Sequence, residues 1–315
     1  MKICHVDPAC GLDIPPKDWG AIEKIIWEFE VNQRALGHES IHKMAGHIEP
    51  GEFDIVHCHV ANLAINLQEK GIPYIYQLHD HHVLYYGKDS DVYKKNLKAI
   101  KGSLISLMPA NWLVKYFDHP KCIYFSHGVN IDDFYPKTNP RPHTPKLLML
   151  ANNGLGGDTS YDRKGFQYGL GLAMLNNYEI TIAGPSNNKQ FFNHHLWMLN
   201  YPKLNLVFNT PNSELLDLYH DHDIFIHPTM LEAGHPNLTM LEALAAGLPV
   251  IANWEFEVDL HGCWRAPRNV FEMDRGLKDI LDNWQSYRKR ATETSTLFSW
   301  KNQTKKLIDI YKKFI

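Results

Sequence analysis

The chain has 315 residues, 44% of them hydrophobic and 21% charged, which is length for two ordinary domains and the composition of a folded globular protein. A formal net charge of −3 gives no global nucleic-acid signature, and no apolar run approaches the ~20 residues of a membrane span. Five scattered cysteines, with no Cys-x-x-Cys pair, argue against a disulfide framework and a structural zinc held by thiolates, and fit a reducing compartment.

Ile3 to Val6 reads as a strand that follows Met1 almost at once, so no signal peptide is expected and a cytoplasmic location follows. A loop rich in Gly and Pro runs from Asp7 to Gly20. Gly20 either lets backbone N–H groups approach a phosphate or only serves a tight turn. Ile22, Ile25, Ile26 and Phe29 fall at i, i+3, i+4 and i+7, predicting a helix with one inward face. Asp54 to Val60 and Ile72 to Leu78 are strands that run into histidines. His57 and His59 share a strand face. With His79 and His81 they form either a divalent-metal site or hydrogen-bonded strand ends. Tyr85 to Lys101 is polar and lysine-rich, a solvated helix or an acceptor-facing strip.

Leu104 to Met108 resumes strand character. Pro136 to Pro145 holds four prolines and reads as a stiff linker. Beyond it come strand Lys146 to Ala151, a polar Gly-rich loop Asn152 to Asp162, Arg163-Lys164-Gly165-Phe166, and strands Glu179 to Gly184 and Leu204 to Phe208. Ser213 to His220 is a short helix, Ile224 to Ile226 a strand, Asn237 to Ala246 a helix stopped by Gly247, and Leu248 to Ala252 a strand. Free N–H groups of Asn237, Leu238 and Thr239 would suit a phosphate. Phe271 to Arg290 reads as helix. A final amphipathic stretch from Phe298 carries Leu307, Ile308, Tyr311, Phe314 and Ile315 on one face. Strands alternating with helices in both halves imply an α/β protein with parallel sheets.

Pro228-Thr229, Glu232 and Glu242-Ala243-Leu244-Ala245-Ala246-Gly247-Leu248-Pro249-Val250 resemble the nucleotide-sugar site of the retaining family-4 glycosyltransferases. So do Leu36-Gly37-His38-Glu39, Lys164-Gly165 and the Cys122 to Phe134 stretch, although Asn130 stands where the family has Asp. The opening, with Val6-Asp7-Pro8 and Pro15-Pro16-Lys17-Asp18-Trp19-Gly20, is similar to short phage- and virus-encoded members.

The resemblance implies a GT-B fold, two Rossmann-like domains whose parallel sheets face a central cleft. The expected division is 1–135, an acceptor-side domain; 136–145, the linker; 146–297, a nucleotide-sugar domain; and 298–315, a helix returning to the first domain. The implied reaction moves a hexosyl or pentosyl group from a nucleotide-sugar, with UDP expected, to an acceptor hydroxyl with retention. No metal and no separate cofactor are expected. His79 and Glu232 would stand at the sugar. Gly20, Arg163, Lys164, His235, Pro236, Asn237, Leu238, Thr239 and Glu242 would hold the donor. Two departures bear on this. Nine residues separate Glu232 from Glu242, two more than in the family, and Ala151-Asn152-Asn153 replaces the family's first cation, with Arg163 as a substitute.

Three alternatives remain open at this level. The acceptor could be a saccharide or a hydroxymethylated base in viral DNA, which would place the protein in the host cytoplasm. The set His57, His59, His79 and His81 could make a metal-dependent hydrolase. The departures could also leave a sugar-nucleotide binder without turnover.

Overall fold

The computed structural model describes residues 1–315 except 10, 18–19, 80, 139, 154–161, 231 and 254–259. Trp19, Asp80 and most of the Gly-rich loop expected between Asn152 and Asp162 lie outside the described residues. The chain divides into two compact units. One is Met1–Gly128 with Leu231–Asn237 and Phe298–Ile315; the other is Val129–Met230 with Leu238–Leu297.

The first unit runs β1 (Lys2–Val6), α1 (Ala21–Ala35), β2 (Glu39–Lys43), β3 (Ile55–Cys58), α2 (Ala61–Glu69), β4 (Ile75–Gln77), α3 (His82–Tyr86), α4 (Asp91–Gly102), β5 (Ser106–Met108), α5 (Asn111–Phe117) and β6 (Cys122–Tyr124). Its six strands lie in the order β2-β1-β3-β4-β5-β6, with parallel pairing throughout. β3, β4 and β5 are buried along their whole length, the burial expected of a parallel sheet covered on both faces. His5 and His57 are therefore polar residues set into an apolar sheet. The expected stretch Tyr85 to Lys101 is two helices. The break is at Gly87, and the Ser90 hydroxyl restarts the chain by accepting from the Tyr93 N–H at 3.2 Å.

The second unit runs β7 (Leu147–Leu150), α6 (Phe166–Asn176), β8 (Ile180–Gly184), α7 (Asn188–His194), β9 (Leu204–Phe208), α8 (Leu215–His220), β10 (Ile224–His227), α9 (Leu238–Ala245), β11 (Val250–Asn253), β12 (Cys263–Ala266), α10 (Val270–Asp282) and α11 (Trp284–Leu297). Its order is β12-β11-β10-β7-β8-β9, again parallel. The helix expected over Phe271 to Arg290 is also two. Asn283, at φ −112° and ψ 30°, leaves the helical region between them.

The last helix, α12 (Trp300–Tyr311), belongs to the first unit. Trp300 meets Phe29 of α1 edge to face at 5.1 Å, and Leu307, Ile308 and Tyr311 are buried. Each such apolar side chain contributes roughly 1.5–3 kcal/mol. Ile315 lies outside the stripe and is exposed, while Lys301, Lys305 and Lys306 face solvent. Among the described residues no helix is long and apolar enough to cross a membrane.

Candidate active site

Each sheet reverses its strand order once, between β1 and β3 in the first unit and between β7 and β10 in the second. Open α/β sheets bind ligands beyond the carboxyl ends of their strands at such points. In the second unit the residues singled out in the sequence gather around the exits of β7 and β10; in the first, most gather past the ends of β4, β5 and β6.

In the second unit β7 runs out into Ala151–Asn153, and Arg163-Lys164-Gly165 leads into α6. The Asn153 Oδ1 accepts from the Lys164 N–H at 3.1 Å, and Asn188 holds this exit by accepting from the Asn153 N–H and donating to the Ala151 carbonyl. Where the family's first cation was sought, the chain thus has a pair of buried asparagines tying two loops together. Asp162 caps α6, accepting from the N–H groups of Phe166 and Gln167 at 2.9 and 2.8 Å. Burial pushes its carboxyl up despite those bonds. Gly165 sits at φ +75°, and a Cβ there would lie 2.7 Å from Pro228 Cγ and 2.8 Å from Arg268 Nη2. Only glycine lets the Lys164 loop lie this close to the exit of β10. The Met230 N–H closes the same junction on the Arg163 carbonyl at 3.0 Å.

Arg268 was not expected from the sequence. Its guanidinium donates to the carbonyls of Asp162 and Arg163 at 2.7 and 3.0 Å and lies over the Tyr168 ring. It lies far along the chain, outside the motifs the sequence shows. Arg163 and Lys164 are both buried, and Arg163 donates to the Asn152 carbonyl at 3.1 Å.

α9 begins at Leu238, with Thr239 in its first turn and Glu242 one turn on. Glu242 is buried and its Oε2 accepts from the Tyr219 hydroxyl at 3.0 Å; that hydroxyl also approaches the Thr239 carbonyl at 3.2 Å. Burial, reinforced by the Glu242 carboxylate, pushes the Tyr219 hydroxyl well above its ordinary range, so it remains a donor. In the sequence Tyr219 reads only as an apolar position of α8.

In the first unit residues 232–237 pack on the ends of β5 and β6. The His235 N–H donates to the Pro109 carbonyl at 2.9 Å, the Tyr124 hydroxyl donates to the His235 carbonyl at 2.7 Å, and Trp112 Nε1 donates to the Glu232 carbonyl at 3.0 Å. Pro236 is buried and Asn237 half-buried. His127 lies against this segment, and a Cβ on Gly234 would stand 2.9 Å from its Nδ1. His79 stacks on His127 with ring centres 5.7 Å apart. Burial holds His127 down to about 4, with Glu232 pulling the other way. His79, His127, Glu232, Gly234 and His235 therefore form one group. His127 was missed; its only sequence signal is its place directly before Gly128 in the strand-closing motif. Gly20 is at the start of α1, where an added Cβ would meet Pro16 and the Glu23 carboxylate.

The histidine set of the sequence is regrouped. Nitrogens of His5, His57 and His59 converge, whereas His79 bonds to the far side of His59 at 3.0 Å and His81 packs on His82. His5 was not foreseen because it lies on another strand. It is the register partner of His57, which only strand pairing reveals.

The sequence model of the family glycosyl transferases group 1 matches residues 169–296. No curated protein matches the chain in sequence. Among solved structures, the chain is similar to sucrose-phosphate synthase from Thermosynechococcus elongatus, at TM-score 0.75 and 14% identity over 99% of this chain and 98% of that one. It is similar to Anabaena HepE in complex with UDP, at TM-score 0.70 and 12% identity over 99% and 100%. A third is the catalytic domain of starch synthase IV from Arabidopsis thaliana bound to ADP and acarbose, at TM-score 0.69 and 10% identity over 99% of each chain. The fold is GT-B, and the hydrolase reading of the histidines finds no support. The matched segment runs from α6 to α11, and the similarity to the solved structures is one of fold.

Proposed function

We propose that the protein transfers a sugar from a nucleotide-sugar, UDP-linked, to an acceptor hydroxyl with retention at the anomeric carbon. The observation that carries this is the collection of Lys164, the β10 exit and the buried Glu242–Tyr219 pair in the second unit, whose sheet reverses between β7 and β10. In this reading Glu242 accepts from the ribose hydroxyls. Lys164 and the N–H groups opening α9 meet the charge that develops on the leaving diphosphate. In the first unit His79, Glu232 and His235 hold the sugar. No protein nucleophile is assigned, and transfer needs no added Mg²⁺ or Mn²⁺. UDP is favoured because a similar structure carries it, although another carries ADP.

The test is release of nucleoside diphosphate from a panel of nucleotide-sugars, with and without simple sugars, alongside Glu242→Ala. Release from one donor, lost in the variant, supports the assignment; release unaffected by the variant removes Glu242 from the donor site, and no release from any donor leaves a binder without turnover.

A second acceptor reading rests on α4, where Lys94, Lys95, Lys98 and Lys101 are all exposed. Such a strip suits an anionic polymer, and DNA bearing hydroxymethylated bases supplies both phosphate and hydroxyl. Transfer to it would fall steeply with salt. Salt-insensitive transfer would remove α4 from the account.

A further inference from the structure

His5 lies on β1 and His57 on β3, paired in register in adjacent parallel strands, and His59 follows on the same face of the chain. One nitrogen from each of the three rings lies within 4.8 Å of the other two. The opposite nitrogen of every ring is already engaged. His5 Nε2 bonds Gln33 Oε1 at 3.0 Å, His57 Nδ1 bonds the Tyr311 hydroxyl at 2.6 Å, and His59 Nδ1 bonds His79 Nε2 at 3.0 Å. Of the converging nitrogens, His5 Nδ1 and His59 Nε2 are 3.1 Å apart. His57 Nε2 is buried and has no hydrogen-bond partner among the described residues.

A shared proton between His5 and His59 accounts for two of these nitrogens and leaves the third unexplained. A buried polar atom without a partner calls for a reason. We propose that His5 Nδ1, His57 Nε2 and His59 Nε2 bind a divalent d-block cation, zinc by preference. Tetrahedral zinc–imidazole bonds of about 2.0–2.1 Å place ligand nitrogens roughly 3.3 Å apart. The His5–His59 pair, at 3.1 Å, is close to that separation, and His57, stacked on His59 with ring centres 4.3 Å apart, must turn to present Nε2 to the cation. Three imidazoles without a carboxylate suit zinc, nickel or copper and not Mg²⁺ or Ca²⁺. Engaged outer nitrogens are what ligating histidines show, because that bond fixes the tautomer. Burial keeps all three rings neutral, as ligation requires: His5 is held down to about 4 and the other two well below their ordinary value.

The protons balance without release. When the cation enters, the proton between His5 and His59 moves to His59 Nδ1, which donates to His79 Nε2; the His79 proton then resides on Nδ1. The cation thus clamps β1 to β3, and through Tyr311 to α12, while setting the tautomer of His79. It takes no part in handling the diphosphate, and the inference stands whether or not the transferase reading does.

The test uses the full chain purified without a metal column. Metal content is measured directly. Metal-stripped protein is then titrated with Zn²⁺ and Co²⁺, following melting temperature, the visible cobalt spectrum and the ¹⁵N signals of the histidines. One equivalent of bound metal, a tetrahedral cobalt spectrum with nitrogen ligands, a higher melting temperature and a His79 proton moving to Nδ1 are expected. His57→Gln should weaken binding by more than about tenfold, whereas His143→Gln, on the surface, should not. Folded wild-type protein that takes up no stoichiometric metal, or binds it equally well in His57→Gln, would overturn the proposal. So would a His59 Nε2–H bonded to His5 Nδ1 in excess zinc. The wild-type measurements decide even if the variant does not fold.

Discussion

His57 Nδ1 and the Tyr311 hydroxyl are hydrogen-bonded at 2.6 Å, joining residues 254 positions apart in the chain. Both are buried, so the bond cannot be exchanged for one to water. Tyr311→Phe keeps the ring and leaves His57 Nδ1 unsatisfied, which costs about 1–3 kcal/mol. Urea unfolding should show that loss with an unchanged slope. A change below about 0.5 kcal/mol would mean that α12 does not hold His57 in solution.

Acid should destabilise the protein through its buried histidines. His5 and His127 are held down to about 4, and His57 and His59 well below their ordinary value, in each case first by burial. A histidine whose folded pKa is depressed binds its proton preferentially when unfolded. Its stabilisation is complete above the unfolded value near 6.5 and is lost as pH falls from there toward about 4. Glu30, Asp162 and Asp223 are raised by burial and act in the opposite sense, but only around the carboxylate range. The urea midpoint should therefore fall between pH 7 and pH 5. A flat midpoint over that interval would show the rings to be solvated in the native state.

The fold was legible because buried strands announce themselves. Ile3 to Val6, Leu147 to Leu150 and Ile224 to Ile226 are short apolar runs bounded by loops, and their alternation with helices leaves few topologies. Helix breaks were less legible: Gly87 and Asn283 each divide a stretch whose polarity alone looks continuous. At the candidate site, Lys164 and Glu242 lie in local motifs that single them out in the sequence. Arg268, Tyr219, His127 and His5 are not singled out in this way, since each acts through a partner distant in sequence. No spacing rule encodes a contact made by strand register or by a loop returning from elsewhere in the chain.

Lys164 is the cation on which the proposed leaving-group chemistry rests. Its backbone N–H stays bonded to Asn153 whatever its side chain, so Lys164→Met should fold normally. Loss of one positioned group that stabilises developing negative charge lowers kcat by about 10²–10³. Steady-state kinetics with the preferred donor would check this. A variant within about threefold of wild type would shift the role to Arg163 or to the start of α9.

Gly234→Ala should separate packing from stability at the first unit's histidine group. The added methyl would stand 2.9 Å from His127 Nδ1 and 3.1 Å from the Pro236 carbonyl, so the segment carrying Glu232 and His235 must shift. Displacements of this size cost about 100-fold in rate when they misplace a reacting group. Activity should drop by that order while the melting temperature changes by only a few degrees. Full activity would detach Glu232 and His235 from the reaction.

The Glu242–Tyr219 pair allows the ribose assignment to be graded. Glu242→Gln preserves shape but replaces one acceptor oxygen by a donor, so it can no longer receive both ribose hydroxyls. The loss of one hydrogen bond to a charged group, about 1.5–3 kcal/mol, should appear as a roughly 10- to 150-fold rise in the donor KM. Because the ribose is bound alike in ground and transition states, kcat should change little. Tyr219→Phe removes the donor that holds Oε2 but leaves the carboxylate itself, so its KM should rise less than in the glutamine variant. Its stability should fall instead, since a buried carboxylate has lost a partner. The two variants thus separate on different axes, one on donor affinity and the other on unfolding free energy. An unchanged KM in Glu242→Gln would remove the ribose from this carboxylate and leave the pair as a tether between α8 and α9.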